Sequence, residues 1–575
     1  MDRGTIINEI DAAQQRIELD LVIENITVLD VFQEELYISD VAIYKDKIVG
    51  VGNYKACGKK VIDGTGKYIT PSFIDTHVHI ESSLVPPHNY AKTVVKHGVT
   101  TIIADPHEIA NVAGKAGIDF MLSDAKESDV DIYFSLPSCV PATPFEQGGA
   151  KLFSQDLEEY YSNKWIIGLG EMMNYPGVLA GDSDVVSKIS SARNYGKICD
   201  GHIAGISDDR LNAYIGAGIT TDHECVTIHD AKERVKRGMH VLIREGTSTK
   251  DVEALIPAVN DKNCSMFAFC TDDRHLDEIM EEGTIRNNVR KAIKLGMKAE
   301  KAYKIATINA AKIYKIEYVG AIAPGYFADF LILDNLEEVA ISSVYRKGES
   351  IVENGVYREK IRPSYSTLTV PLRFHVEEKD FDIHLEKGKK VNIIEIIPNT
   401  VVTKKIVEEV DIEKGQFVVS HSRKLSKLAV INRYGSKNIG LGIIKGIDIK
   451  SGAIATTISH DSHNVIVLGT NSYDMKIAAE SLKESHGGLV VVSEGKVIGK
   501  LELEIGGLMT NQPIDIILNK MEKLHESMHT ICGENDFHIF LTLAFMSLPV
   551  IPEIKLTEKG LFDVTKFQFM DLIAE

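Results

Sequence analysis

Between residues 73 and 317 the chain repeats one pattern: a short apolar, β-rich run that closes on a polar residue, then a longer helical segment. Eight such runs can be counted: PSFIDTHVH, TTIIAD, DIYFSLPS, WIIGLGE, KICDGHI, GITTDHE, HVLIREG and MFAFCTDD. Repeated βα units of this kind predict a parallel sheet, and eight of them predict a (β/α)8 barrel. The flanks read differently. Residues 20–70 alternate β-type runs with turn signals (DLVIENITVLD, ELYISDVAIYKDKIVGVG, KKVIDGTGKYIT), and GAIAPGYFADFLILD with SVYRKGESIVENG returns to that hairpin character after the barrel.

These patterns predict an α/β fold: a TIM-like barrel over 73–317, a small β-sandwich built from both flanks (1–72 and 318–370), and a C-terminal α+β domain over 371–575. A proline-bearing connector, IRPSYSTLTVPL, leads into that last domain. At 575 residues the chain is too long for one core, so several domains are expected.

Composition removes whole classes of function. The formal net charge of -18 repels phosphate backbones, and with no basic stripe a nucleic-acid partner is not expected. No apolar run reaches the roughly 18–20 residues of a membrane span, and the opening MDRGTIINEIDAAQQRIELD carries acids where a signal peptide needs an apolar core. A cytoplasmic location is the default expectation. The seven cysteines form no Cys-x-x-Cys pair, which argues against a disulfide framework and a thiolate zinc site.

The polar residues that close the eight runs carry the chemistry, because in such a barrel functional groups come from the carboxyl ends of the strands. They are His77 with His79, Asp105, Ser138, Glu171, His202, His223, Arg244 with Glu245, and Asp272. Side chains two apart on a strand share a face, so His77 and His79 can grip one ion. Glu171 ends a nearly all-apolar strand, where a carboxylate is costly unless paired or bound to a cation. His202 and His223 alone would read as satisfied core histidines, and Asp272 alone as a helix cap. Together the six supply enough ligands for two divalent ions, a site that lowers the pKa of a shared water toward about 7. Oxygen and nitrogen donors without sulfur suit zinc, manganese or iron.

Three further stretches stay open between a structural and a functional reading. DPHEIAN, with Asp105, His107 and Glu108, is either a helix-capping loop or a proton shuttle, substrate contact or extra cation site. Arg244 either binds substrate, pins a catalytic carboxylate or makes a salt bridge at the barrel top. ISHDSHN, residues 458–464, is either a locally closed turn or a loop that folds over the barrel mouth.

The set PSFIDTHVH, Glu171, His202, His223, Asp272, ATINAA and GAIAPGYFADFLILD resembles the amidohydrolase superfamily of metal-dependent hydrolases. HVHIESS, ADPHEIANV, GLGEMMN, DGH, TDHE and FCTDDRH, followed by SHDSHN and GGLM, resemble its bacterial adenine deaminase branch over nearly the whole chain. The resemblance implies hydrolytic conversion of adenine to hypoxanthine and ammonia, with manganese or iron as the ions, and Glu171 where many relatives carry a carboxylated lysine. It further implies His77, His79, Glu171, His202, His223 and Asp272 as metal ligands and Asp272 and Glu171 as proton carriers. Asp105, His107 and Glu108 are the second-rank catalytic candidates, Arg244 and Ser138 the substrate-binding ones, and a homodimer is the expected assembly. The rivals are a cyclic amide or imide hydrolase of the same superfamily and a barrel that has lost catalysis.

Overall fold

A computed structural model describes residues 3–574 except 127, 360–365, 399, 534 and 536. All eight predicted runs form strands: β1 (Phe73–Val78), β2 (Val99–Ala104), β3 (Asp131–Leu136), β4 (Ile166–Met172), β5 (Ile198–Gly201), β6 (Thr221–Asp222), β7 (His240–Arg244) and β8 (Phe267–Cys270). β1 to β5 make one parallel sheet and β6 to β8 another. Two seams close them into a barrel. Thr220 N donates to Cys199 O (2.9 Å) beside β5, and Thr271 N and Asp272 N donate to His77 O (3.2 and 2.9 Å) beside β1. At the first seam Gly201 is required, because a Cβ there would lie 2.3 Å from Thr221 O.

The flanks meet in one continuous nine-stranded sheet, and Lys47 of its N-terminal part bridges Phe327 of its C-terminal part. Tyr68–Pro71 pairs antiparallel with Phe330–Asn335, Ile69 opposite Ile332, which ties the two ends of the barrel chain together. Alternation sorts its side chains: Ile23, Val41, Ile43, Phe330 and Ile332 form a cluster of their own, while Leu331, Leu333 and Val344 join the barrel core.

The C-terminal domain is α+β. Its mixed eight-stranded sheet packs one face on helix Ser472–Glu484 through Ala429, Val467 and Met475. The other face, with Leu428, Val430 and Ile466, belongs to the same buried cluster as the barrel. Residues 361–365 of the predicted connector lie outside the described residues. Among the described residues no helix is long and apolar enough to cross a membrane, and all seven cysteines are free.

One buried ion pair orders the strand ends that matter most. Arg234 and Asp222 are both fully buried, 2.9 Å apart. Asp222 Oδ1 accepts the amides of Ile203 and Glu224 (both 3.1 Å), and Arg234 Nη2 donates to Ile203 O (2.6 Å), so the pair fixes the chain beside His202 and His223. Removing one partner of such a pair leaves an uncompensated buried charge. Arg234→Met is therefore expected to cost about 3–5 kcal/mol of stability, read as a lower urea midpoint; a wild-type midpoint would show that the pair is dispensable.

Candidate metal centre

β1 places His77 and His79 side by side with their Nε2 atoms 3.2 Å apart, the geometry that two-residue alternation predicts. Glu171 rises from β4 between the histidines. Its Oε2 lies 3.0 Å from both His202 Nδ1 and His223 Nε2 and 3.7 Å from His77 Nε2, and its Oε1 lies 3.7 Å from His79 Nε2. Asp272 Oδ1, after β8, stands 3.2 Å from His79 Nε2 and 3.8 Å from His77 Nε2. All six predicted ligands thus converge, and all but the half-buried His202 are buried.

The donor chemistry fits divalent cations. His77, His79 and Glu171 offer ligand atoms within 4.8 Å of one another, and so do Glu171, His202 and His223; Glu171 is common to both sets, and His77, His223 and Asp272 form a third. Burial, reinforced by the neighbouring His223 and His79, pushes His77 well below the usual imidazole range, which keeps it in the neutral form that ligates. Burial alone would raise Glu171, but His202, His223 and His79 outweigh it and hold the carboxylate ionised. Asp272 is likewise lowered against its burial, by His79 and Arg244.

A ring of further groups orients this set. Asp105 Oδ2 accepts Glu171 N (2.9 Å), an approach open only because residue 170 is glycine: a Cβ there would lie 2.1 Å from that oxygen. Ser138 donates its hydroxyl to the Glu171 carbonyl and so braces the strand end rather than facing a ligand. Arg244 is spent in the same way. Its Nε bonds Asp251 Oδ2 (2.7 Å), its Nη1 bonds Glu224 and Asp272 Oδ2 (3.2 Å), and Thr249 Oγ1 donates to the same Asp272 oxygen (3.4 Å). The pinning alternative describes these contacts of Arg244.

His107 opens the helix α1 (His107–Ala113) that follows β2. Its Nδ1 lies 3.4 Å from Asp105 Oδ1 and 3.5 Å from Glu171 Oε1, and its Nε2 lies 3.5 Å from Glu108 Oε1. Glu108 then leaves the barrel altogether: one carboxylate oxygen meets His460 Nδ1 and the other His463 Nε2. SHDSHN therefore does fold onto the mouth. The triad could pass for a third cation site, but the Ser459 amide donates to His463 Nδ1 (3.2 Å), so that ring carries its proton on Nε2 and donates it to Glu108. The contact is a hydrogen-bonded clasp.

Several groups at the mouth escape the two-residue rule. Glu224 stands 3.7 Å from His223 Nε2, Asp273 shares a ligand cluster with His79 and Asp272, and Glu81 Oε1 accepts Ile109 N (3.1 Å). Glu224 and Asp273 each directly follow a predicted ligand, and Glu81 sits two residues beyond one, which is the signal available in the chain.

Comparison with known proteins agrees with this geometry over both halves of the chain. The amidohydrolase family matches residues 68–355, and the adenine deaminase C-terminal domain matches residues 400–568. An adenine deaminase of Geobacillus kaustophilus is 45% identical over 99% of this chain and 100% of its own length. One of Bacillus pumilus is 45% identical over all of both chains, and one of Halalkalibacterium halodurans 44% over 97% of each. With buried His, Glu and Asp donors at the strand ends of its barrel and this similarity from end to end, the chain belongs to the adenine deaminase family of the amidohydrolases.

Proposed function

We propose that this protein is an adenine aminohydrolase, converting adenine and water to hypoxanthine and ammonia. The observation that carries the reading is the convergence of His77, His79, Glu171, His202, His223 and Asp272 from five strand ends onto one point of the barrel mouth. Full-length similarity to adenine deaminases, C-terminal domain included, favours it over a cyclic amide hydrolase, and the intact donor set favours it over a barrel without catalysis. The same proposal divides the chain at 72/73, 317/318 and 370/371, and has the enzyme act as a cytoplasmic homodimer on free adenine.

Two divalent ions, manganese or iron with zinc also compatible, would be held by those six residues and would lower the pKa of a shared water toward neutrality. The protein's own groups then handle the protons. In the reaction a C–O bond forms at the amino-bearing ring carbon and the C–N bond to the amine breaks. Arg244 and Thr249 occupy Asp272 Oδ2, which leaves Oδ1 on the ligand side to take a proton from the water and return it to the amine, so that ammonia departs neutral. Asp272 adopts φ 62°, an uncommon conformation outside glycine that is fastened by its amide hydrogen bond to His77 O. Glu171, with His107 at 3.5 Å from its Oε1, is placed to take up the other proton of the water and relay it to the ring nitrogen, and Asp105 and Glu108 bracket that imidazole.

Two outcomes are expected. Asp272→Asn should retain about two ions per chain by elemental analysis and lose roughly 100-fold or more of its turnover; near-normal rates would refute the proton-carrying role. Chelation should abolish ammonia release from adenine, and titration of the apoprotein with manganese, ferrous iron or zinc should restore it at about two equivalents, the ordering of rates identifying the preferred ion. Full activity in protein stripped of metal would sink the reading.

A further inference from the structure

Outside the metal centre, three more imidazoles meet where the barrel joins the C-terminal domain. His275 stands after β8, three residues past Asp272. His525 lies on helix α2 (Ile514–Ile531), and His538 immediately precedes helix α3 (Ile539–Ala544); the two helices roof this side of the barrel. The three histidines line one small cavity with Ser82, Met521 and Phe540. At about 40 Å3 it has no room for a heterocycle and room for water beside an ion.

Their geometry repeats that of the metal centre. His525 Nε2 and His538 Nε2 lie 3.1 Å apart, against 3.2 Å for His77 Nε2 and His79 Nε2 and 3.3 Å for His202 Nδ1 and His223 Nε2. Two nitrogens that share a tetrahedral ion at about 2.0–2.1 Å stand roughly 3.3–3.4 Å from each other. His275 closes the third side: its ring packs on His538 with 4.9 Å between centroids and 79° between planes.

A direct hydrogen bond between His525 and His538 has the same length, so the proton positions decide what the pair can hold. At the clasp, the Ser459 amide occupies Nδ1 of His463 and fixes the proton of that ring on Nε2. His538 Nδ1 is shielded from solvent and meets no hydrogen-bond partner among the described residues, so nothing forces its proton onto Nε2, and that lone pair is free to ligate. Burial, with His275 and His525 adding to it, pushes His538 well below the usual imidazole range. Burial also lowers His275, against the pull of Asp277, Glu278 and Asp273, so both rings are neutral.

We propose that His275, His525 and His538 form a third cation site, separate from the two ions of the catalytic centre, which takes zinc or a neighbouring late transition ion and staples the barrel to the C-terminal domain. Three imidazoles without a carboxylate suit zinc, copper or nickel and disfavour manganese, whereas the mixed carboxylate and imidazole donors of the catalytic centre accept manganese and iron. One ligand comes from the barrel and two from the helices, so an ion among them holds α2 and α3 against the loop that follows β8.

Metal content of the full-length protein tests the site by difference. Apoprotein dialysed against zinc should take up about three equivalents in wild type and about two in His525→Gln and His538→Gln, while manganese, the weakest of the series for nitrogen donors, should give about two in all of them. The third equivalent of zinc should raise the thermal midpoint of wild type by a few degrees and leave both variants unmoved. Cobalt reads the wild type alone, which keeps the test open where a variant does not fold: a third equivalent should add the intense visible absorption of a tetrahedral ion. Equal zinc uptake by wild type and folded variants, or cobalt uptake that stops at two equivalents, would overturn the site. A third equivalent that leaves the thermal midpoint in place would overturn the staple.

Discussion

A carboxylate buried at the centre of the barrel mouth sets the terms for everything around it. Glu171 is 4% exposed and ends a strand whose other side chains are apolar, so water cannot pay its solvation and protein groups must. Four imidazoles within 3.7 Å do this, and burial with the neighbouring His223 and His79 keeps His77 among them neutral, so that its lone pair is free to face the site. That arrangement is self-consistent when cations sit among the donors. The surrounding charge points the same way: Asp272, Glu224 and Asp251 gather around the single guanidinium of Arg244, and Asp273, Asp105 and Glu108 add further carboxylates close by. An anionic pocket of this density needs counterions as well as hydrogen bonds.

Much of this was legible in the amino-acid order, for a definite physical reason. A barrel strand must be apolar where it is packed on both faces, so the residue at which it turns polar marks the open end, and each of the eight runs showed that change. His77 and His79 could be paired from spacing alone because β1 keeps its alternation through Val78. The misses lie where alternation stops. β6 ends at Asp222 and β8 at Cys270, so His223 with Glu224, and Asp272 with Asp273, follow the strand and are freed from the period that would send neighbours to opposite faces. Both members of each pair reach the same site. Arg244 and Ser138 were located correctly at strand ends, but which partner a long or small polar side chain finds there depends on the acids contributed by other loops.

The clasp between Glu108 and the histidines at 460 and 463 was not legible, and no local rule would have exposed it. Its partners lie more than 350 residues apart, and each half taken alone has a complete local account: α1 begins at His107, and Ser459 closes the SHDSHN turn onto His463. That local closure has a further consequence. By occupying Nδ1 of His463 with a backbone donor, the turn turns the imidazole into a hydrogen-bond donor toward Glu108 and removes it from the pool of metal ligands. Two neighbouring histidine clusters in one molecule are thus assigned to different work by one amide.

The same clasp explains why the C-terminal domain is integral to this barrel instead of an appendage. Glu108 is 2% exposed and lies beside His107, which in turn approaches Glu171 and Asp105. Lifting the domain away would leave that carboxylate facing only His107 and the Glu81 region, where Glu81 is already raised by its own burial, with Glu108 adding to it, to about 7. His460 and His463 are the first of the groups that hold the Glu108 carboxyl well below the usual range against its burial. Docking of the domain therefore stabilises the ionised form of Glu108, and through it the position of His107. The shared apolar cluster beneath provides the bulk of the attachment, while the three-residue polar contact fixes where that attachment places the roof relative to the ligands.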